Sequence, residues 1–139
     1  MAFEIVKLDK EVFSGSRVEI PAFNPQEGFA VMSGVKETAI ADFAKTAEDF
    51  VGINANIDGV QTYLVAKVGT ESGDTSFEIT EGQYAKFVTK ETERTAIDQF
   101  IGQSYGEVMH SDTVGVAGTF NLEDLREADF TLYIPVVAK

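Results

Sequence analysis

The chain has 139 residues, of which 44% are hydrophobic, which suits one compact domain and is too short for two large ones. It contains no cysteine and one histidine, which excludes disulfides, thiolate zinc sites and multi-histidine metal sites, so we expect no cofactor and no metal. Eleven basic against 23 acidic residues give a net charge of −12, which opposes contact with phosphate backbones and anionic lipids. We therefore expect a cytoplasmic protein with no direct nucleic-acid or membrane partner.

The first 34 residues show strand-like alternation followed by loop-forming residues. Residues 3–20 predict one long strand or a bent pair, with a break or bulge at Ser14-Gly15-Ser16. Two prolines and two glycines within 21–34 predict a loop, and 29–32 predict a short extended piece inside it.

A helix and a hairpin are predicted next. Apolar residues at helical spacing predict a helix over about 36–50, and Gly52 is in a typical position to end it. Asp58-Gly59 is a strong two-residue hairpin signal, because both turn residues need positive φ. We expect a strand over 60–68 to follow it.

The second half predicts a turn, two strands around a helix, and a closing strand. Thr89 or Thr92 is in position to cap the helix. The predicted segments are a turn over 70–74, a strand over 76–88 with a break at Glu81-Gly82, a helix over 93–109, a strand from Val114 to Phe120, a solvated charged loop over 123–129, and a strand over 129–136.

Short sequence matches recur in the same order in both halves of the chain. They are Phe3-Glu4-Ile5 with Phe77-Glu78-Ile79, Lys36-Glu37-Thr38 with Lys90-Glu91-Thr92, Thr38-Ala39-Ile40 with Thr95-Ala96-Ile97, and Tyr63-Leu64-Val65 with Leu132-Tyr133-Ile134. This order predicts a single α+β domain over 1–139, built from two pseudo-symmetric βαββ halves of about 1–70 and 74–139. Antiparallel sheet, two helices on one side of it and a central cleft are the expected architecture.

The closing strand carries bulky side chains on both faces. Phe130, Leu132 and Ile134 share one face, while Thr131 and Tyr133 share the other with Pro135. Since proline cannot donate to a sheet ladder, we expect this strand to lie at an edge, or its proline near an end or bulge. Such a strand is a candidate wall of a cleft.

In this order of segments the chain resembles the GyrI-like effector-binding domains, which are also found fused to AraC-type and MerR-type multidrug regulators. The resemblance implies two βαββ halves around an aromatic-lined cleft for bulky hydrophobic, often cationic, small molecules. It is carried by Phe3-Glu4-Ile5-Val6, by Phe77 to Ala85, by the helix bearing Ile97, Phe100, Ile101 and Tyr105, and by Phe130 to Val136.

The resemblance also implies candidate ligand-binding residues. Family members that bind cations place a glutamate in the closing strand, two residues before the tyrosine, where this chain has Thr131. Glu107 is a candidate replacement for that carboxylate, although its spacing also suits a solvated position. Tyr133 and Tyr63, interpreted as its pseudo-symmetric partner, are candidates to stack on a ligand. Tyr105 and Phe120 are candidates either to line the cleft or to pack the core.

Three functional hypotheses remain open. The first is a stand-alone protein that binds bulky hydrophobic small molecules, cationic ones among them, in transcriptional regulation or drug and toxin response. The second is a hydrolase of strained-ring hydrophobic compounds that uses a cleft carboxylate, although no triad, phosphate loop or metal cluster supports it. The third is a module whose apolar groove receives a protein partner.

The net charge generates a first prediction. The full chain should not retain a 20-base-pair DNA duplex on a native gel at low salt and micromolar protein, because its acidic surface repels phosphate. A basic DNA-binding protein run beside it serves as the positive control. Retention that weakens with added salt would contradict the prediction.

Overall fold

The computed structural model of the protein describes residues 3–22, 25–26 and 28–139. These residues form two helices and nine strands. In chain order they are β1 (Glu4–Leu8), β2 (Glu11–Glu19), α1 (Ala30–Ala44), β3 (Val51–Ile57), β4 (Val60–Val68), β5 (Thr75–Ile79), β6 (Gly82–Thr89), α2 (Arg94–Met109), β7 (Val114–Val116), β8 (Phe120–Asp124) and β9 (Phe130–Ala138).

The strands form one antiparallel sheet with an internal symmetry. Its order is β1-β6-β9-β8-β3-β4-β2-β5, and β7 pairs with β9. Two βαββ units, β2-α1-β3-β4 and β6-α2-β8-β9, meet at the central β3–β8 pair. Each unit also receives the first strand of the other half, since β1 pairs with β6 and β5 pairs with β2. The predicted α+β class with two βαββ halves is confirmed.

Both helices lie on one face of the sheet. α1 packs Phe43 against Tyr63 and Val65, and α2 packs its apolar side against β6 and β9. The opposite face curls on itself as a half-barrel, because Phe13 on β2 and Tyr84 on β6 share one core although they lie far apart in the strand order. The space between the two helices and the sheet therefore lies over the β3–β8 centre.

The first helix begins and ends about six residues earlier than predicted. The predicted extended piece over 29–32 is wrong, since α1 begins at Ala30, and the loop assigned to 21–34 includes Phe23, Asn24 and Glu27, which lie outside the described residues. The physical reason is that Ser33 and Lys36, polar residues that suggest a helix start or an outer face, are buried within the helix. When polar residues occupy the buried positions of a helix, its start shows no helical spacing of apolar residues in the sequence.

Several local predictions are confirmed in both halves of the chain. The hairpin at Asp58-Gly59 is confirmed with φ of 54° and 81°, and β4 has the predicted bounds. α2 begins one residue later than predicted and ends at Met109 as expected. The predicted threonine caps are wrong, because Glu93 precedes the helix and makes no side-chain capping hydrogen bond.

Two glycine assignments are wrong for the same reason. Gly52 does not end a helix but lies in β3, and Gly15 does not break β2; the break between strands lies at Asp9 and Lys10 instead. Both glycines make room for a neighbour. A Cβ on Gly15 would lie 2.7 Å from Ala66 Cα, and one on Gly52 would lie 2.6 Å from Tyr63 Cζ. The ring of Tyr63 can therefore cross β3 only because Gly52 has no side chain.

The closing strand is not an edge strand. β9 lies between β6 on one side and β8, followed by β7, on the other. Pro135 is tolerated there because it lies where β9 changes partner, after the last β8 pair at Tyr133 and before the first β7 pair at Val136. Within the described part of the chain, no helix is long and apolar enough to span a membrane.

The close contact at Gly52 generates a second prediction. Gly52→Ala should lower the free energy of unfolding by about 1–3 kcal/mol, because the new methyl group must push the Tyr63 ring aside. Urea unfolding measures it. The matched control is Gly34→Ala in α1, where a Cβ meets nothing within 4 Å and should raise stability by up to about 1 kcal/mol. Equal effects of the two substitutions would contradict the prediction.

Candidate functional site

A fully buried carboxylate lies between the helices and the sheet. Glu123 on β8 has no exposed surface, and both of its oxygens are engaged. Oε1 accepts a hydrogen bond from Tyr63 Oη at 2.7 Å and contacts Arg94 Nη1 at 2.9 Å. Oε2 accepts from Asn54 Nδ2 at 2.7 Å, Arg94 Nη2 at 2.9 Å and Lys36 Nζ at 3.2 Å.

A second carboxylate contacts the same two cations from the helix side of the site. Asp98 on α2 accepts from Arg94 Nη2 at 2.7 Å and Nε at 3.2 Å. It also accepts from Lys36 Nζ at 3.0 Å and Ser33 Oγ at 2.6 Å, both on α1. We call Lys36, Arg94, Asp98 and Glu123 the charge cluster; its two cations and two anions balance.

The secondary structure explains how these side chains meet. Arg94 and Asp98 are four residues apart on α2, and Ser33 and Lys36 are three apart on α1, so each pair shares one helix face. On the sheet, Asn54 lies opposite Tyr63 and two residues along β3 from Gly52, which pairs with Glu123, so Asn54 and Glu123 share one face. The two helices therefore close over one row of polar side chains.

Charge pairing decides the ionisation of the cluster. Burial acts to raise the pKa of the Glu123 carboxyl, but the adjacent charges of Lys36 and Arg94 outweigh it and hold this pKa at about 2. Burial acts to lower the pKa of the Arg94 guanidinium, yet Glu123 and Asp98 raise it above its ordinary value. Burial, reinforced by the charge of Glu123, raises the pKa of the Tyr63 phenol well above its ordinary value. At neutral pH a phenol therefore donates to a carboxylate.

Aromatic rings line the cluster. Lys36 Nζ lies 4.9 Å from the centroid of the Tyr63 ring, and Arg94 Cζ lies 5.8 Å from it. Arg94 Cζ also lies 5.9 Å from the Phe130 ring, which contacts Phe100 edge to face. These distances are within the range of cation–π attraction. The arrangement can hold a positive charge between a carboxylate and an aromatic face.

The predicted site residues divide between the two faces of the sheet. Tyr63 contacts Glu123 directly, and Tyr105 Oη accepts from Asn121, whose amide oxygen accepts in turn from Asn54. Glu107 lies half-buried on α2, two residues beyond Tyr105.

The remaining predicted residues, Phe120, Thr131 and Tyr133, lie on the half-barrel face. Tyr133 lies directly opposite Leu122, so its side chain points away from the face that carries Glu123. The strand repeat aligns Tyr63 with Leu132, so the predicted pairing of Tyr63 with Tyr133 is off by one residue and the two tyrosines lie on opposite faces of the sheet. Tyr133 lines a separate cavity of about 220 Å³ with Asp124 and Arg126.

The interpretation of Glu123 as part of a solvated loop is wrong. Glu123 and Asp124 belong to β8 and are 0% and 4% exposed. Two signals could have identified the strand. Leu122 continues the alternation that begins at Phe120, and the repeat that aligns Tyr63 with Leu132 also aligns Asn54 with Glu123. No comparable local signal marks Lys36, since its partners are distant in the sequence.

The depressed pKa of Glu123 generates a third prediction. Its carboxyl pKa is about 2 in the folded protein and near the ordinary 4.5 when unfolded. The ionised group therefore contributes stability that is fully present above about pH 4.5 and is lost as pH falls toward 2. Glu123→Gln should cost about 3–5 kcal/mol at pH 7, because Arg94 and Lys36 lose a counter-charge.

The difference in unfolding free energy between wild type and Glu123→Gln should shrink as pH falls below 4.5, since a protonated glutamate resembles glutamine. Chemical denaturation across pH 2–7 measures it. Glu78→Gln on the exposed side of β5 is the control and should change stability by less than about 0.5 kcal/mol at pH 7. A difference that stays constant down to pH 2 would contradict the prediction.

Several solved structures share this fold, and three of them are described below. One is SAV2435 bound to tetraphenylphosphonium, with a TM-score of 0.67, 17% identity, and coverage of 99% of this chain and 94% of the other. A second is a putative bacterial transcription regulation protein from Staphylococcus aureus MU50, with a TM-score of 0.68, 16% identity, and coverage of 98% of each chain. The third is an integron cassette protein from the mobile metagenome of Vibrio cholerae, with a TM-score of 0.65, 15% identity, and coverage of 99% of this chain and 95% of the other.

Sequence comparison extends this likeness from fold to family. No curated protein sequence matches the chain at a significant level. A family model described as Cass2, integron-associated effector binding protein, matches residues 4–136, which is nearly the whole chain. This agrees with the resemblance to GyrI-like effector-binding domains. The chain therefore belongs to the family of integron-associated effector-binding proteins.

Proposed function

We propose that the whole chain, 1–139, acts as one domain that binds bulky hydrophobic small molecules, including cations, between α1, α2 and the β3–β8 centre of the sheet. The observation that carries this proposal is the buried Glu123 carboxylate, which accepts a hydrogen bond from the Tyr63 hydroxyl. Burying an ionised carboxylate is costly, and an apolar replacement is often at least as stable. A ligand-binding role gives a reason for keeping it.

The surroundings of Glu123 suit an aromatic ligand. Tyr63 offers a ring face, while Phe100 and Tyr105 on α2 and Phe130 on β9 belong to the neighbouring apolar cluster. SAV2435, which shares the fold, is bound to tetraphenylphosphonium, a cation surrounded by four phenyl groups. The combination of a carboxylate with aromatic faces supports the same class of ligand here.

Glu123 is better suited to binding than to proton transfer. A carboxyl group with a pKa of about 2 is a weak base near neutral pH, and both oxygens already accept several hydrogen bonds. A hydrolase that used this carboxylate as a general acid or base would need a higher pKa. The hydrolase hypothesis predicts altered products after incubation with a ligand, whereas the binding proposal predicts that the ligand is recovered unchanged.

We extend the proposal to a role in drug or toxin response through transcription. One neighbour in fold is described as a putative bacterial transcription regulation protein. Because the acidic chain is unsuited to DNA, a separate DNA-binding partner would transmit the signal. Transcript profiles of cells with and without the gene, compared in the presence of tetraphenylphosphonium, test this role. Identical responses in the two strains would end it.

The location of the ligand gives a fourth prediction. Methyltriphenylphosphonium titrated into the ¹⁵N-labelled protein should shift the side-chain amide resonances of Asn54 and Asn121, which lie beside Glu123. Tyr133→Phe should leave the affinity within about twofold, since its hydroxyl lies on the other face. Shifts concentrated around Tyr133 and Arg126, with the Asn54 amide unchanged, would instead place the ligand in the half-barrel cavity and contradict the proposal.

A further inference from the structure

The two cations of the charge cluster are held in different ways. Arg94 uses three nitrogens of its planar guanidinium to reach both carboxylates, and it shares α2 with Asp98. Lys36 reaches the same carboxylates with a single ammonium group, from the other helix. A guanidinium fork is geometrically locked, whereas a lysine ammonium is a point charge on a flexible stem. Lys36 is therefore the more easily displaced cation.

Removing Lys36 would leave a vacant site for one positive charge. With it, the cluster is neutral; without it, Arg94 alone faces Asp98 and Glu123, and one negative charge is uncompensated. The Lys36 ammonium lies 3.0 Å from Asp98 Oδ1 and 3.2 Å from Glu123 Oε2. It also lies 4.9 Å from the Tyr63 ring centroid. Two carboxylate oxygens beside an aromatic ring suit a ligand that carries one positive charge and apolar groups.

The two helices are also anchored differently. The buried residues of α2 include the apolar Ile97, Ile101 and Val108, so this helix is fixed by the core. The buried residues of α1 are Ser33 and Lys36 near its start and Phe43 near its end. The apolar residues of α1 that pack around Tyr63 and Val65 are Ala39, Ile40 and Phe43, all in its second half. The buried residues of its first half, Ser33 and Lys36, make polar contacts to Asp98 and Glu123 instead. Movement of α1 would carry Lys36 out of the cluster.

We propose that Lys36 is an internal occupant of the cation site, and that an apolar monocation binds by taking its place as the first half of α1 moves away from α2. This inference rests on the proposed function and adds to it the competitor and the charge of the ligand. Lys36 is accordingly a specificity-determining residue. It lowers the affinity for cations, because the site is open to them only when Lys36 has left.

Two probes of nearly equal shape test the charge dependence. Methyltriphenylphosphonium carries one positive charge. Triphenylphosphine oxide has the same three phenyl groups but no net charge. Lys36→Met should increase the affinity for the cation at least about tenfold. If Lys36 leaves the site of the wild-type protein about a tenth of the time, the apparent affinity of the wild type is already lowered about tenfold. The affinity for the neutral probe should change far less. Isothermal titration measures both.

The matched control is Lys45→Met, at the C-terminal end of the same helix. The Lys45 side chain is 74% exposed and pairs only with Asp42 among the ion pairs of the described residues. Both substitutions lower the net charge of the protein by one, so a general electrostatic effect would appear in both. An equal rise in cation affinity in the two variants, or none in Lys36→Met, would overturn the inference.

A measurement on the wild-type protein covers the case in which Lys36→Met does not fold. Lys36 is 2% exposed and should react slowly in reductive methylation, followed by peptide mass spectrometry. Saturating methyltriphenylphosphonium should speed its modification several-fold, while the exposed Lys45 reacts at an unchanged rate. Continued protection of Lys36 with the cation bound would overturn the inference.

These experiments separate the inference from the proposed function. Binding of both probes with the same cation preference in wild type and Lys36→Met overturns only the role of Lys36. Binding of neither probe to either protein overturns the proposed function and the inference together. A shift of preference toward the cation in Lys36→Met, absent in Lys45→Met, supports both.

Discussion

Glu123 remains ionised although its side chain has no exposed surface, and the placement of both helices follows from that requirement. A bare carboxylate in this position would take up a proton, because burial favours the neutral form. Lys36 and Arg94 prevent it, and Asp98, which pairs with both of them, supplies the second negative charge that balances the two cations. The two helices must therefore lie side by side over the β3–β8 centre, since each supplies one cation. Charge balance, as much as apolar packing, sets the position of α1.

The sheet is adapted to the same requirement. Tyr63 lies on β4 and Glu123 on β8, with β3 between them, so the phenol has to cross a strand to donate its hydrogen bond. Gly52 makes that crossing possible, and Asn54, two residues further along β3 on the same face, supplies a second donor. Twofold repetition supplied two equivalent strands, β4 and β9, but only β4 carries the tyrosine on the helix-facing side. The site is therefore asymmetric within a symmetric fold.

Membership in an effector-binding family and this closed, balanced cluster are compatible if the protein holds its own cation in the place where a ligand's cation would bind. Such an arrangement keeps the carboxylate ionised in the absence of ligand. It also requires any cationic ligand to compete with a tethered ammonium group. A ligand that binds more tightly to one arrangement of α1 than to the other would shift the protein toward that arrangement, and binding would thereby change the conformation of the protein.

Local features of the sequence determined the α+β class, the hairpin at Asp58-Gly59 and the extent of α2, because turn residues and side-chain periodicity act over a few positions. The face on which Tyr63 lies, the start of α1 and the burial of Glu123 were decided only by the tertiary structure. The partners of Glu123 that matter most, Arg94, Tyr63 and Lys36, lie 29, 60 and 87 residues away. A charged residue in a polar stretch predicts exposure unless a counter-charge meets it, and that meeting depends on how the two halves of the sheet join.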